Sequence, residues 1–256
     1  MLIDSHAHLD NDKYGDQITL VENFRAEGGK YLVDVGYDYE SSLSALRKAE
    51  RFEGVFFTAG FHPQEADKNN DIGLIAPLLN NEKCIAVGEI GLDYHYLPFD
   101  RQRQTDLFES QIMLAYENGL PIVIHSREAS KDMLDVLKCN KNYLGNGLLM
   151  HCYSESREQA KNYCDLGAYF AFGGATTFKN AKKEDIIRSI PVDRLLAETD
   201  SPYMTPVPFR GQKNEPSFVK YVYAKLAYTL NIDEKSLEEQ LYLNFFTLFQ
   251  KARKNS

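Results

Sequence analysis

The sequence predicts a (β/α)8 barrel with C-terminal helices packed on its outside. Three observations lead there. Eight short runs rich in Val, Ile, Leu and Phe recur along the chain, separated by segments long enough to be helices. The runs are continuously apolar rather than alternating, as strands buried on both faces are. No glycine-rich nucleotide loop follows the first run, which argues against an open doubly wound sheet.

The runs are residues 2–4, 31–36, 55–60, 84–89, 120–125, 147–151, 168–173 and 194–198. Segment 100–119 illustrates the helices between them. It sets Leu107, Phe108, Ile112 and Ala115 near one face and ends at Gly119 and Pro121. Segment 215–253 reads as two further helices on the outside of the barrel. At 256 residues with 43% hydrophobic composition, the chain can build one sizeable core, and a single domain over 1–256 is expected.

No apolar stretch reaches the roughly 20 residues that span a bilayer. The opening MLIDSHAHLD lacks the basic end and apolar run of a signal peptide, so a cytoplasmic location is expected. Cys84, Cys139, Cys152 and Cys164 show no C-x-x-C spacing, and buried reduced thiols are expected.

Polar residues appear at one end of the runs. His6 and His8 follow the first, His62 the third, and Glu89 closes the fourth. His125 and His151 close the fifth and sixth, and Asp200 follows the eighth. Five of the six histidines thus sit at or just beyond C-terminal strand ends, where barrel active sites form. The sixth, His95, reads as a loop residue.

Residues two apart on a strand point to the same side, so His6 and His8 can grip one ion. With Glu89, His125, His151 and Asp200 they make six candidate ligands, more than one tetrahedral ion needs. A two-ion site is therefore expected, with Glu89 on the fourth strand as a bridge and Mg, Mn or Zn as candidate ions. Two carboxylates against two divalent ions leave about +2, a centre that attracts phosphate and suits in-line displacement by an activated water. Asp200 is expected to hold that water and take its proton, and His62 to donate to the substrate or the attacked group.

These residues resemble the TatD-type metal-dependent DNases of the amidohydrolase superfamily. The likeness rests on DSHAHLD (4–10), AGFHP (59–63), VGEIGLDY (87–94), segment 101–109 leading to LPIVIHSR (120–127), MHCYS (150–154), GGATTFKNA (173–181) and ETDSPYMTPVPFRGQKNEP (198–216). It implies a barrel, a di-metal site and phosphodiester hydrolysis of DNA. It assigns His6, His8, Glu89 and Asp200 to one ion, Glu89, His125 and His151 to the other, and puts His62 near the scissile phosphate. Two departures stand out. Glu155 replaces the glycine common after HC[FY]S, and Gln212 replaces a residue that is often basic.

A net charge of −8 excludes a broadly cationic nucleic-acid surface but not a local one. Arg101, Arg103, Arg127, Lys179, Lys182, Lys183, Arg210 and Lys213 all follow strands on the expected active-site side. Tyr94, Tyr96, Phe99, Tyr153, Phe178, Tyr203 and Phe209 lie near them and can stack on unpaired bases. Such a rim favours a strand end over a long duplex, hence an exonuclease acting on single-stranded DNA or strand ends. Two other readings compete. The same activated water can attack an ester or amide, as in a D-aminoacyl-tRNA deacylase. Alternatively, the chain is a non-catalytic metal-bearing scaffold.

Overall fold

Eight strands form in chain order and pair in parallel with their sequence neighbours, β1 through β8. The computed structural model describes residues 1–9, 17–68 and 70–254. Asp10, the last residue of the DSHAHLD stretch, lies outside them. The strands are β1 (Leu2–Ala7), β2 (Gly29–Val35), β3 (Val55–Ala59), β4 (Cys84–Asp93), β5 (Ile122–Arg127), β6 (Leu148–Met150), β7 (Tyr169–Phe172) and β8 (Leu195–Ala197). Between and after them lie α1 (Gln17–Ala26), α2 (Tyr39–Arg51), α3 (Arg101–Glu117), α4 (Ser130–Cys139), α5 (Arg157–Cys164), α6 (Glu184–Ser189), α7 (Val219–Leu230), α8 (Glu234–Leu248) and α9 (Gln250–Arg253).

The barrel expected from the sequence is present, with two local differences. The described part of the β3–β4 connection carries three 3-10 turns rather than an α-helix. β8 closes against β1 without a ladder. An isolated bridge joins Ala7 and Ser201, Asp200 N–H donates to His6 O at 2.9 Å, and His8 N–H donates to Ser201 O at 2.8 Å.

Continuous apolar strands serve two cores at once. Alternate residues such as Leu32, Phe57, Ile122, Ile124 and Phe170 face the surrounding helices. Their neighbours Val33, Phe56, Ile85, Val123, Leu149 and Leu196 fill the interior. Phe245 and Phe249, from α8 and the residue after it, join that interior cluster. As expected, the C-terminal helices pack on the outside of the barrel, and they do so at two places. α7 packs on the flank through Val222 and Leu226, and α8 and α9 cover the end formed by the early strand residues. Aromatics plug that end, and polar residues are left to the other.

α3 follows the sequence closely. Asp100 caps it by accepting from Arg103 N–H at 3.1 Å, and Gly119 takes a left-handed φ of +64° beyond its end. At Gly91 (φ +142°) a side chain would meet the His125 carbonyl oxygen at 2.0 Å. Glycine there lets β4 and β5 approach beside the site. The four cysteines are free, but only Cys84 is buried, and Cys139 is exposed at the end of α4. No helix among the described residues is long and apolar enough to cross a membrane.

Candidate metal centre

β1 carries His6 in the strand itself, two residues further than the sequence pattern places its end, and His8 follows directly. Their Nε2 atoms lie 3.3 Å apart. The His8 ring is turned inward by its Nδ1, 3.0 Å from Val35 O, while the next backbone N–H, of Leu9, donates to Asp34 at 2.9 Å. Asp34 is in turn paired with the buried Lys48 at 3.2 Å.

Glu89 sits mid-strand rather than at a strand end, because β4 continues four residues to Asp93. The residue is 3% exposed, and its carboxylate is the point on which the histidines converge. Oε1 lies 2.8 Å from His125 Nδ1, 2.8 Å from His151 Nε2 and 3.8 Å from His62 Nε2. Oε2 lies 3.4 Å from His6 Nε2 and 3.6 Å from His8 Nε2. Asp200 Oδ1 is 3.7 Å from His8 Nε2 and 4.0 Å from His6 Nε2. Asp200 holds this place with a left-handed φ of +52°, a conformation uncommon for a non-glycine residue.

All seven residues singled out in the sequence are thus brought together: His6, His8, His62, Glu89, His125, His151 and Asp200. Among the described residues, four triplets have ligand atoms within 4.8 Å of one another. Two of these share Glu89, one adding His6 and His8 and the other His125 and His151. Imidazole nitrogens and carboxylate oxygens suit borderline divalent ions, so the donor set fits a metal centre.

The electrostatics follow from burial. Desolvation raises the Asp200 carboxyl to about 6, outweighing the lowering by His151 and His8. Burial also lowers His62 to about 3, with His125 adding to the effect. Desolvation works against the charged form of Glu89 too, but His151, His125 and His6 outweigh it and hold the group well below the usual carboxylate range. Burial lowers His151 less than Glu89 and Glu198 raise it, so it stands well above its ordinary value.

The sequence reading missed four residues near these ligands. Asp93 Oδ2 lies 3.2 Å from His125 Nε2, and buried Glu198 accepts from Cys152 N–H at 2.7 Å and lies 3.5 Å from His151 Nδ1. Gln104 and Gln111 are buried on α3. A polar residue on the apolar face of a helix, and an apolar run continuing past Glu89, were the available signals.

The site opens into a cavity of about 940 Å³. Of the expected basic rim, Arg127 and Lys183 line it. The rim that lines the cavity is smaller than expected, and both of its members are themselves engaged, Arg127 over Tyr96 and Lys183 with Ser154 O. Arg101 pairs with Asp132 and lies over Tyr94, Arg103 pairs with Asp67 and Asp100, and Arg210 lies over Phe178. Exposed Lys179 and Lys182 lie outside the cavity lining. Tyr96, Phe99, Tyr153 and Tyr203 line it, whereas Tyr94 stacks on Phe99 and Phe209 on Phe218. His95 is an exposed loop residue 2.6 Å from Glu128. Glu155 accepts from Ser126 at 2.5 Å and Tyr163 at 3.0 Å, fixing the loop after β6 to β5.

This chain matches, over residues 3–250, the family model described as TatD related DNase. It is 40% identical over 243 residues to the uncharacterized metal-dependent hydrolase YabD of Bacillus subtilis, covering 93% of this chain and 94% of that one. It is 35% identical to the uncharacterized metal-dependent hydrolase YcfH of Escherichia coli, covering 97% and 95%. The crystal structure of YjjV, a TatD homologue from Escherichia coli K12, superposes with a TM-score of 0.91 at 30% identity, covering 97% and 98%. A barrel whose strand ends gather histidines and carboxylates, and these likenesses along nearly its whole length, place the chain in the TatD family of metal-dependent hydrolases.

Proposed function

We propose that the protein hydrolyses phosphodiester bonds in DNA, acting as an exonuclease on single strands or strand ends, with two divalent ions as cofactor. The observation that carries this reading is the division of Glu89. One carboxylate oxygen faces His125 and His151, and the other faces His6 and His8. Glu89 would then be shared, with Asp200 completing the His6–His8 side.

Ions held there would activate water and neutralise charge on the attacked phosphate and its leaving oxygen. Asp200, beside His6 and His8, would take the proton of the attacking water. His62 stays neutral because burial lowers it to about 3. Its Nδ1 accepts from Gln64 N–H at 3.2 Å, which puts the ring proton on Nε2, the nitrogen facing Glu89. It is thus a neutral donor for a phosphate oxygen. Arg127 and Lys183 supply the few cationic contacts that a strand end needs. Exposed Tyr96 and Tyr203 offer ring faces to unpaired bases.

The test is incubation with end-labelled single- and double-stranded DNA plus Mg²⁺ or Mn²⁺, with EDTA and a His6→Ala/His8→Ala variant as controls. Mononucleotides released only with metal and only by the wild type support the reading. No metal-dependent product from any strand overturns it, and cleavage of an aminoacyl-tRNA ester instead would move the substrate from phosphodiesters to carbonyl esters.

A further inference from the structure

We infer that α3 is a positioning helix whose two buried glutamines align the two halves of the site. Gln104, through Asp93, orients the His125 imidazole, and Gln111, through the Phe61 backbone, holds His62. The inference rests on the metal-centre reading and adds to it residues that act through His125 and His62.

Gln104 and Gln111 are 3% and 0% exposed and lie two turns apart, on the same face as Phe108, Ile112 and Ala115. Glutamine on an apolar helix face is costly unless its amide is hydrogen-bonded. Both amides are, at oxygen and at nitrogen. Asp93 N–H donates to Gln104 Oε1 at 2.8 Å, and Gln104 Nε2 donates to Asp93 O at 2.8 Å. Phe61 N–H donates to Gln111 Oε1 at 2.7 Å, and Gln111 Nε2 donates to Phe61 O at 3.0 Å. Each carboxamide grips both backbone groups of a single residue. Phe61 directly precedes His62, and Asp93 closes β4.

The Asp93 carboxylate passes this constraint on. Oδ1 accepts from His95 N–H at 2.9 Å, while Oδ2 lies 3.3 Å from Gln64 Nε2 and 3.2 Å from His125 Nε2. The opposite nitrogen of that ring, Nδ1, is the one 2.8 Å from Glu89. Asp93 therefore fixes the ring's rotation and, by taking the Nε2–H, leaves the Nδ1 lone pair for an ion. A carboxylate behind a ligating imidazole both orients it and makes it more basic. Among the described residues the Val35 carbonyl lies behind His8, so the Asp93 effect belongs to the His125 side.

The test measures Mn²⁺ binding to the full chain by calorimetry, and turnover of bis(p-nitrophenyl) phosphate. Asp93→Asn and Gln104→Met should each weaken one Mn²⁺ equivalent roughly 10–100-fold. The other equivalent should stay within about twofold. Gln111→Met should keep both equivalents but lower kcat roughly 10–100-fold, because a displaced donor costs turnover rather than ion affinity. Asp93→Asn keeps the side chain's shape, so the Asp93 arm survives even if a glutamine variant fails to fold. Mn²⁺ affinities unchanged in Asp93→Asn overturn the inference while leaving the metal centre intact. A wild-type chain that bound no Mn²⁺ would overturn the metal centre and this inference with it.

Discussion

Asp4 accepts two hydrogen bonds from Thr199, from its backbone N–H at 2.9 Å and its hydroxyl at 2.6 Å. This pair stitches β1 to the residue before Asp200, across the seam where β8 has no ladder to β1. The same carboxylate lies 3.3 Å from His6 N–H, so one buried group sets the backbone of two candidate ligands. Asp4→Ala leaves buried donors unpaired and should destabilise the metal-free protein by about 2–4 kcal/mol. Urea unfolding reads this directly. An unchanged midpoint would mean the seam is held by other contacts.

Asp200 makes a prediction with opposite signs in the two metal states. Its carboxyl is raised to about 6 in the folded chain from an ordinary value of 3.8, so the folded state binds the extra proton between those values. Stability of the metal-free protein therefore falls as pH rises through that window, and above it an ionised buried carboxylate is a cost. Asp200→Asn should raise the metal-free Tm at pH 7.5 by about 2–4 °C or more. With saturating Mn²⁺ the order should reverse, because the wild type alone gains the full ligand set. Thermal unfolding with and without EDTA checks both signs.

Protons and metal should compete for the other half of the cluster. Burial lowers His125 and His151, yet the adjoining carboxylates outweigh it and raise both above their ordinary value. A protonated imidazole cannot ligate, so Mn²⁺ affinity should climb as pH rises through that raised range. Near pH 7, filling the site should release about one to two protons. Calorimetry in two buffers of different ionisation enthalpy counts them, and zero release would contradict the assignment of His125 and His151.

His62 and His95 separate a working histidine from a structural one. His62→Asn should cut turnover roughly 100-fold or more, the usual cost of losing one donor to developing charge. His95→Ala removes an exposed contact to Glu128 and an edge contact to the Tyr96 ring, and activity should stay within about twofold. Steady-state rates on a short labelled oligonucleotide distinguish them.

With Arg127 and Lys183 as the cationic residues of the expected rim that line the cavity, few counterions leave on binding. The slope of log affinity against log salt for single strands should be shallow, about −1 to −2. A slope near −5 would point to a wide phosphate-binding surface instead.

Much of this arrangement was legible in the chain because its pieces are local. Continuous apolar runs marked the strands, and the histidines marked their C-terminal ends. What escaped depends on long-range pairing. The fourth strand runs on to Asp93 because its later residues pair with β5, from Ile90 opposite Ile124 to Asp93 opposite Arg127. Ending it at Glu89 hid the carboxylate behind His125. Glu198 is separated from His151 by 47 positions and meets it only once β6, β7 and β8 are side by side. The cationic rim was overestimated for a related reason. Which arginines are spent on Asp132, Asp67 or Phe178 is decided by tertiary neighbours.

The central claim is that Glu89 is shared between two ions. Counting Mn²⁺ bound to the wild type and to Glu89→Gln, in the same buffer, tests it most directly. Two equivalents in the wild type, with both sharply weakened by this one substitution, are the result expected of a shared ligand. Two equivalents retained at unchanged affinity in Glu89→Gln would contradict it.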